Sequence, residues 1–233
     1  MKVIEIKGVI VSNNEKEAYN FYDVESTCPY DVTQHLTGNE DIEVIINSGG
    51  GDVFAGSEIY TALRAYQGNV TVKVYSLAAS SASIIAMAGD RIEMSPTSMM
   101  MIHNVSAPNG GDYHAHEHTA ELLKTATKAL ANAYCIKTGL DEATILEMMD
   151  KETWLNPQQA IELKFADATM FENSKSPMAL VANFNGGKLP HKAIEQFNNA
   201  LIEKMNIKNT TAQKKMSAQL SLLKLKSKEI NTL

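Results

Sequence analysis

Residues 2–11 alternate between polar and apolar side chains, the two-residue period of a half-buried strand. Asp31 to Leu36 has the spacing of a short helix. Ile42-Glu43-Val44-Ile45-Ile46 is β-branched and predicts a strand that runs into a glycine turn, Asn47-Ser48-Gly49-Gly50-Gly51. Asp52 stands at an N-cap position, and Val53, Ile59, Leu63 and Tyr66 recur at helical spacing after it. Strands are predicted over Val70–Tyr75, Arg91–Met94 and Met99–His103, with a helix over Ser80–Ala88 between the first two. Strands alternating with helices imply βαβ units and a mainly parallel sheet, an α/β fold.

Further on, Gly110-Gly111 makes a turn, and Tyr113 to Lys137 predicts one long helix ended by Gly139. Asp141 caps a helix that reaches Met149. Asn156-Pro157 opens another, Pro157 to Leu163, with Pro at the first helical position. Phe165-Ala166-Asp167-Ala168 predicts a last short strand. After Phe171 the composition turns to Ser, Pro, Asn and a Gly pair, which is linker chemistry. The expected organisation is a folded body over 1–172, a linker over 173–190 and a partly helical extension over 191–233. In that extension Ile194, Phe197, Leu201 and Met205 share one face, as do Met216, Leu220 and Leu223.

Charge sharpens this division. Residues 171–233 hold 10 lysines and 4 acidic residues, a net +6, and the remainder holds 11 basic and 23 acidic residues, a net −12. A basic tail on an acidic body implies separate tasks for the two parts, either a solvated tail or an electrostatic contact with an acidic partner. No run of about 18 apolar residues is present, so no membrane span is expected. The N-terminus reads as a strand rather than a signal peptide. Cys28 and Cys135 are expected to be free thiols in a reducing cytoplasm. Neither a nucleic-acid partner nor a cofactor is expected.

The candidate chemistry lies between the predicted elements. Serine needs a base within hydrogen-bond reach to act as a nucleophile at neutral pH. Ser80 follows a strand and opens a helix of small residues, so its hydroxyl is aimed at the open edge of the sheet. Ser81 and Ser83 compete for the role, and Ser80 is preferred as the first residue past the strand. The N–H of Ser81 is left free at the helix start to receive an oxyanion, and the Gly50 N–H is read as the second donor. His103 is the candidate base and Asp167 the acid that fixes its tautomer. His114, His116 and His118 invite a metal reading. Only His114 and His118 share a helix face, and the HExxH order is missing, so no metal is expected.

The order Asn47-Ser48-Gly49-Gly50-Gly51, Ala78-Ala79-Ser80, Met101-Ile102-His103 and Ala166-Asp167 resembles the Clp protease proteolytic subunit family over residues 3–170. The stretch Glu152-Thr153-Trp154-Leu155-Asn156-Pro157 looks most like its phage and prophage branch, the head maturation proteases. The resemblance implies a crotonase-like α/β fold of stacked turns, with Tyr113–Lys137 as a projecting handle helix. It also implies homo-oligomeric, heptameric or stacked rings acting on polypeptides. It assigns Ser80 as nucleophile, His103 as base, Asp167 as third member, and the Gly50 and Ser81 N–H groups as oxyanion hole. The family's Pro before the Gly pair is Gly49 here, and the usual Gly near the last motif is Lys164. The chain starts almost at its first strand, so ATP-independent or weakly ATPase-coupled action is expected, with a housekeeping-like subunit that works with a Clp ATPase as the alternative. The basic extension is expected to serve as a scaffold-like or targeting element toward capsid protein, and residues 172–188 as a site of self-cleavage.

A serine endopeptidase is therefore the expected function. An acyl-CoA enzyme of the same fold would need the oxyanion site but no Ser-His-Asp set. A non-catalytic assembly protein would not need the intact set either. A Ser-Lys dyad lacks a lysine near the Ser80 or His103 motifs.

Overall fold

The computed structural model describes residues 2–171. The linker and extension expected over 173–233 lie outside the described residues. Four parallel strands form the centre of the sheet: β1 (Lys2–Ile10), β3 (Ile42–Gly51), β4 (Val70–Ala79) and β5 (Arg91–Met94). Their alternate residues make one apolar face. Ile4 and Ile6, Ile42, Val44 and Ile46, Val70, Val72 and Val74, and Ile92 and Met94 are all buried there. The helices α3 (Val53–Ala65) and α4 (Ser81–Ala86) join the same core through Ala55, Ile59, Leu63 and Ile85. On the other face the alternate positions carry charge. Lys73 pairs with Glu43 at 2.5 Å, and Arg91 with Glu93 at 2.7 Å. Burying one face of β-branched residues and leaving the other polar fixes the register, because a one-residue slip would exchange the faces.

Halfway along, β4 changes partners. Thr71–Val74 pairs with β5, whereas Leu77–Ala79 pairs with β6 (Met99–Ile102). The sheet divides at this point, and the second branch carries the end of β4 away from β5. Next to β6 lies β7 (Thr153–Leu155), the antiparallel partner among the otherwise parallel pairs. Two-residue strands, β2 (Ser26–Thr27) and β8 (Ala168–Thr169), extend the sheet beside β1 and β5. The remaining helices are α1 (Lys16–Phe21), α2 (Pro29–Thr33), α5 (Tyr113–Thr138), α6 (Glu142–Asp150) and α7 (Pro157–Glu162). Among the described residues no helix is long and apolar enough to cross a membrane.

Local chemistry explains most boundaries. Side chains of Asp52, Asp112, Asp141 and Asn156 each accept the backbone N–H three residues on, at 2.7–3.0 Å. Gly139 ends α5 with a left-handed backbone. The differences from expectation are also physical. β3 does not stop at Ile46 but continues through the glycines, because Gly50 and Gly51 pair with Val9 and Ile10 of β1. β4 runs to Ala79 rather than Tyr75, since β6 offers it a new edge. The expected strand at 165–168 begins only at Ala168. The expected helix at 31–36 starts instead at Pro29, where Asp31 accepts the Cys28 N–H.

Candidate active site

Three elements deliver the site. β4 ends at Ala79, paired with Met101 of β6, so Ser80 and His103 leave the sheet side by side. The Ser80 N–H donates to the Met101 carbonyl at 3.0 Å. Ser80 then turns sharply, with φ +55° and ψ −128°. A serine held there costs on the order of 1–3 kcal/mol, and such strain persists only where the surroundings over-determine it. The turn presents Oγ to His103, whose Nε2 lies 2.8 Å away. A hydroxyl in hydrogen-bond contact with imidazole is the geometry of a base-activated nucleophile.

The structure separates the three candidate serines. Ser80 is the one that meets a histidine among the described residues. Ser81 is buried with its side chain against Gly56, where an added Cβ would come within 2.8 Å of Ser81 Cβ. Ser83 turns its hydroxyl to the Ser80 carbonyl at 2.7 Å. His114, His116 and His118 lie on α5, and among the described residues no group of three His, Cys, Asp or Glu side chains could hold a metal.

The glycine run packs directly on the nucleophile. Gly50 has φ +91°, and a Cβ there would sit 2.7 Å from both Ser80 Cβ and the Ala79 carbonyl oxygen. Only glycine allows this approach. Its N–H, expected to serve as an oxyanion donor, is instead bonded to Ser48 Oγ at 3.0 Å. Asp52 N–H is spent on the Ile10 carbonyl at 2.8 Å. N–H groups of successive strand residues face opposite edges, so Gly51, between them, faces away from β1. Gly51 lines a small cavity of about 50 Å³ together with Ser80, Ser81, His103 and Tyr134.

Asp167 is not brought to this site. Its N–H donates to the Ile92 carbonyl at 2.8 Å, and its carboxylate accepts the Ile92 N–H at 2.6 Å and Lys137 Nζ at 3.0 Å. Ile92 pairs with Val72, near the opposite end of β4 from Ser80. Eight residue steps along β4 separate the two levels, roughly 26 Å at the rise of an extended strand. Asp167 is thus a latch between β5 and the last turn of α5. Sequence reasoning placed it by motif order, which carries no information about depth along the sheet.

Another acid lies near the histidine in sequence register. β7 pairs with β6 so that Ile102 lies opposite Thr153. His103 and Glu152 are the residues immediately beyond that last pair. Glu152 has φ +49°, and its carboxylate accepts Trp154 Nε1 at 3.2 Å. Asp150, a little earlier, accepts Asn104 Nδ2 at 2.7 Å. Among the described residues no carboxylate is bonded to the second ring nitrogen of His103. The signal for β7 was the short Thr153-Trp154-Leu155 run, too brief to read as a strand without its partner.

Asp167→Asn is expected to lower stability by about 1–2 kcal/mol through loss of the Lys137 contact. The melting temperature should fall by a few degrees, while the rate at which a phosphonylating reagent attacks Ser80 stays unchanged. A normal melting temperature with a lost Ser80 rate would return Asp167 to the site.

Comparison with known proteins places the chain in a family. The sequence model of the Clp protease family matches residues 32–188. The ATP-dependent Clp protease proteolytic subunit 1 of Streptomyces avermitilis is 34% identical over 130 residues, 54% of this chain and 59% of that protein. The ATP-dependent Clp protease proteolytic subunit of Deinococcus radiodurans is 29% identical over 55% of this chain and 64% of its own length. Subunit 1 of Chlamydia abortus is 31% identical over 56% and 70%. The chain thus spans about three fifths of the first two relatives. With the matched region covering most of the sheet and both Ser80 and His103, the chain belongs to the Clp protease family.

Proposed function

We propose that this protein is a serine peptidase that hydrolyses peptide bonds through an acyl-enzyme. The observation that carries the reading is the 2.8 Å contact between Ser80 Oγ and His103 Nε2 at a strained strand-to-helix turn. In this reading His103 takes the Ser80 proton as Oγ attacks the carbonyl carbon of the substrate. The resulting oxyanion is received by the N–H groups of Ser81 and Gly51. His103 then returns the proton to the leaving amine, and water repeats the sequence on the ester. In this reading Glu152, next to the Thr153 that pairs with Ile102, is the acid that orients the ring and stabilises the imidazolium. No cofactor enters these steps.

A homo-oligomer fits the long α5, which leaves Tyr113, Leu122 and Ile136 exposed. ATP dependence belongs to the names of the relatives, and this chain is read as acting on polypeptides with or without an ATPase. The narrower role in phage head maturation rests on the Glu152–Pro157 segment and the basic residues after 171. Deleting residues 173–233 is expected to spare peptidase activity and abolish co-assembly with capsid protein in co-expression. Unchanged co-assembly would remove that role.

Hydrolysis of a fluorogenic peptide amide tests the catalytic reading. Ser80→Ala should reduce kcat by about 10⁴-fold or more. Glu152→Gln should reduce it at least about 10-fold, because the imidazolium loses its counter-charge. Full activity in Ser80→Ala would end the reading, and full activity in Glu152→Gln would end the assignment of the acid.

A further inference from the structure

Behind the nucleophile lies a buried hydrogen-bond chain that the proposed steps do not use. Ser83 Oγ is 2.7 Å from the Ser80 carbonyl oxygen and 2.8 Å from the Tyr134 hydroxyl. Both side chains are enclosed, Ser83 at 0% and Tyr134 at 1% exposure. The direction of the chain is fixed by proton counting. A carbonyl can only accept, so the Ser83 proton goes to Ser80 O, and the Tyr134 O–H must donate to Ser83 Oγ. Burial raises the pKa of the phenol, so Tyr134 keeps the proton it donates. Consecutive bonds of this kind polarise and strengthen one another in a low-dielectric interior.

The carbonyl at the end of this chain belongs to the peptide that joins Ser80 to Ser81. A peptide unit is planar and trans, so its C=O and N–H point in opposite directions. Holding the Ser80 carbonyl toward Ser83 therefore aims the Ser81 N–H the other way, toward the site. The helix bonds to this carbonyl are longer, 3.0 Å from Ser83 N–H and 3.4 Å from Ile84 N–H. The strained backbone of Ser80 favours rotation of this peptide, and the shortest bond opposing that rotation is the one from Ser83 Oγ.

We propose that Ser83 and Tyr134 are positioning residues that clamp the Ser80–Ser81 peptide and so set the direction of the oxyanion-binding Ser81 N–H. This rests on the reading of Ser80 as the nucleophile. The clamp also ties the nucleophile to α5, the helix that carries Tyr134. A shift of α5 is thereby transmitted to the oxyanion site without touching substrate.

The test is kcat and KM on a fluorogenic peptide amide, with melting temperatures, for the full chain and four variants. These are Ser83→Ala, Tyr134→Phe, the double variant, and Ser80→Ala. Loss of one oxyanion donor costs about 10²–10³ in rate, and a misplacement near 1 Å about 10². Ser83→Ala, which leaves the donor present but unaimed, is expected to lower kcat about 10–100-fold with KM unchanged. Tyr134→Phe, which keeps the ring, should give a smaller loss in the same direction. Ser83→Ala leaves the buried Tyr134 hydroxyl without its partner, Tyr134→Phe leaves Ser83 its bond to the Ser80 carbonyl, and the double variant removes both hydroxyls. The double variant should therefore melt higher than Ser83→Ala yet have the same kcat. A kcat that recovers along with the melting temperature would mean a merely structural role and overturn the proposal. So would a Ser83→Ala kcat within about twofold of wild type. Alanine is the better helix former, which favours folding of Ser83→Ala. Should it not fold, Tyr134→Phe decides, with lower kcat at constant KM supporting the clamp and unchanged kcat overturning it. Activity in Ser80→Ala would instead bring down the nucleophile reading and the clamp with it. An inactive Ser80→Ala beside a fully active Ser83→Ala would bring down the clamp alone.

Discussion

The backbone of Ser80 is the constraint on which the site depends. Its φ of +55° forces the chain from strand into helix within one residue and turns Oγ outward to His103. Three surroundings hold it there. β6 takes its N–H, α4 takes its carbonyl, and the glycine run of β3 closes on its Cβ. The β6 and β3 contacts depend on long-range sheet pairing, so the strained turn exists only in the folded domain. The branching of the sheet at β4 serves this arrangement. The first half of the strand is spent on the core, and the second half delivers the serine beside the strand that carries the histidine.

Where local chemistry sets the structure, the sequence was legible. The β-branched run at Ile42–Ile46, the Asp52 and Asp141 caps, the Pro157 start and the Gly139 stop all depend on neighbours within four residues. They placed α3, α5, α6 and α7 within a residue or two. Ser80 and His103 were also legible, because both follow immediately after strands of a parallel sheet. Strand ends on the same edge bring such residues together.

What the sequence hid was register and depth. Asp167 follows an apolar run much as His103 does, yet β8 pairs with β5, which accompanies only the first half of β4, and the Asp167 carboxylate meets Lys137 instead of the imidazole. Glu152 looks like a surface acid between two helices until the antiparallel β6–β7 pairing, which ends at Ile102 and Thr153, brings its neighbour beside that of His103. The bond from the Gly50 N–H to Ser48 was hidden for a related reason. Strand β3 continues through the glycines, and strand alternation, invisible when those residues are read as a turn, turns Gly50 and Gly51 to opposite edges.

The central claim is that strain and a single histidine activate one serine among three neighbours. The most direct measurement is mass spectrometry with peptide mapping after treatment by a fluorophosphonate, on the full chain and on Ser80→Ala. The account predicts one adduct, located on Ser80 and absent from the variant. An adduct that persists in Ser80→Ala at Ser81 or Ser83, or no adduct on the unaltered protein, would contradict it.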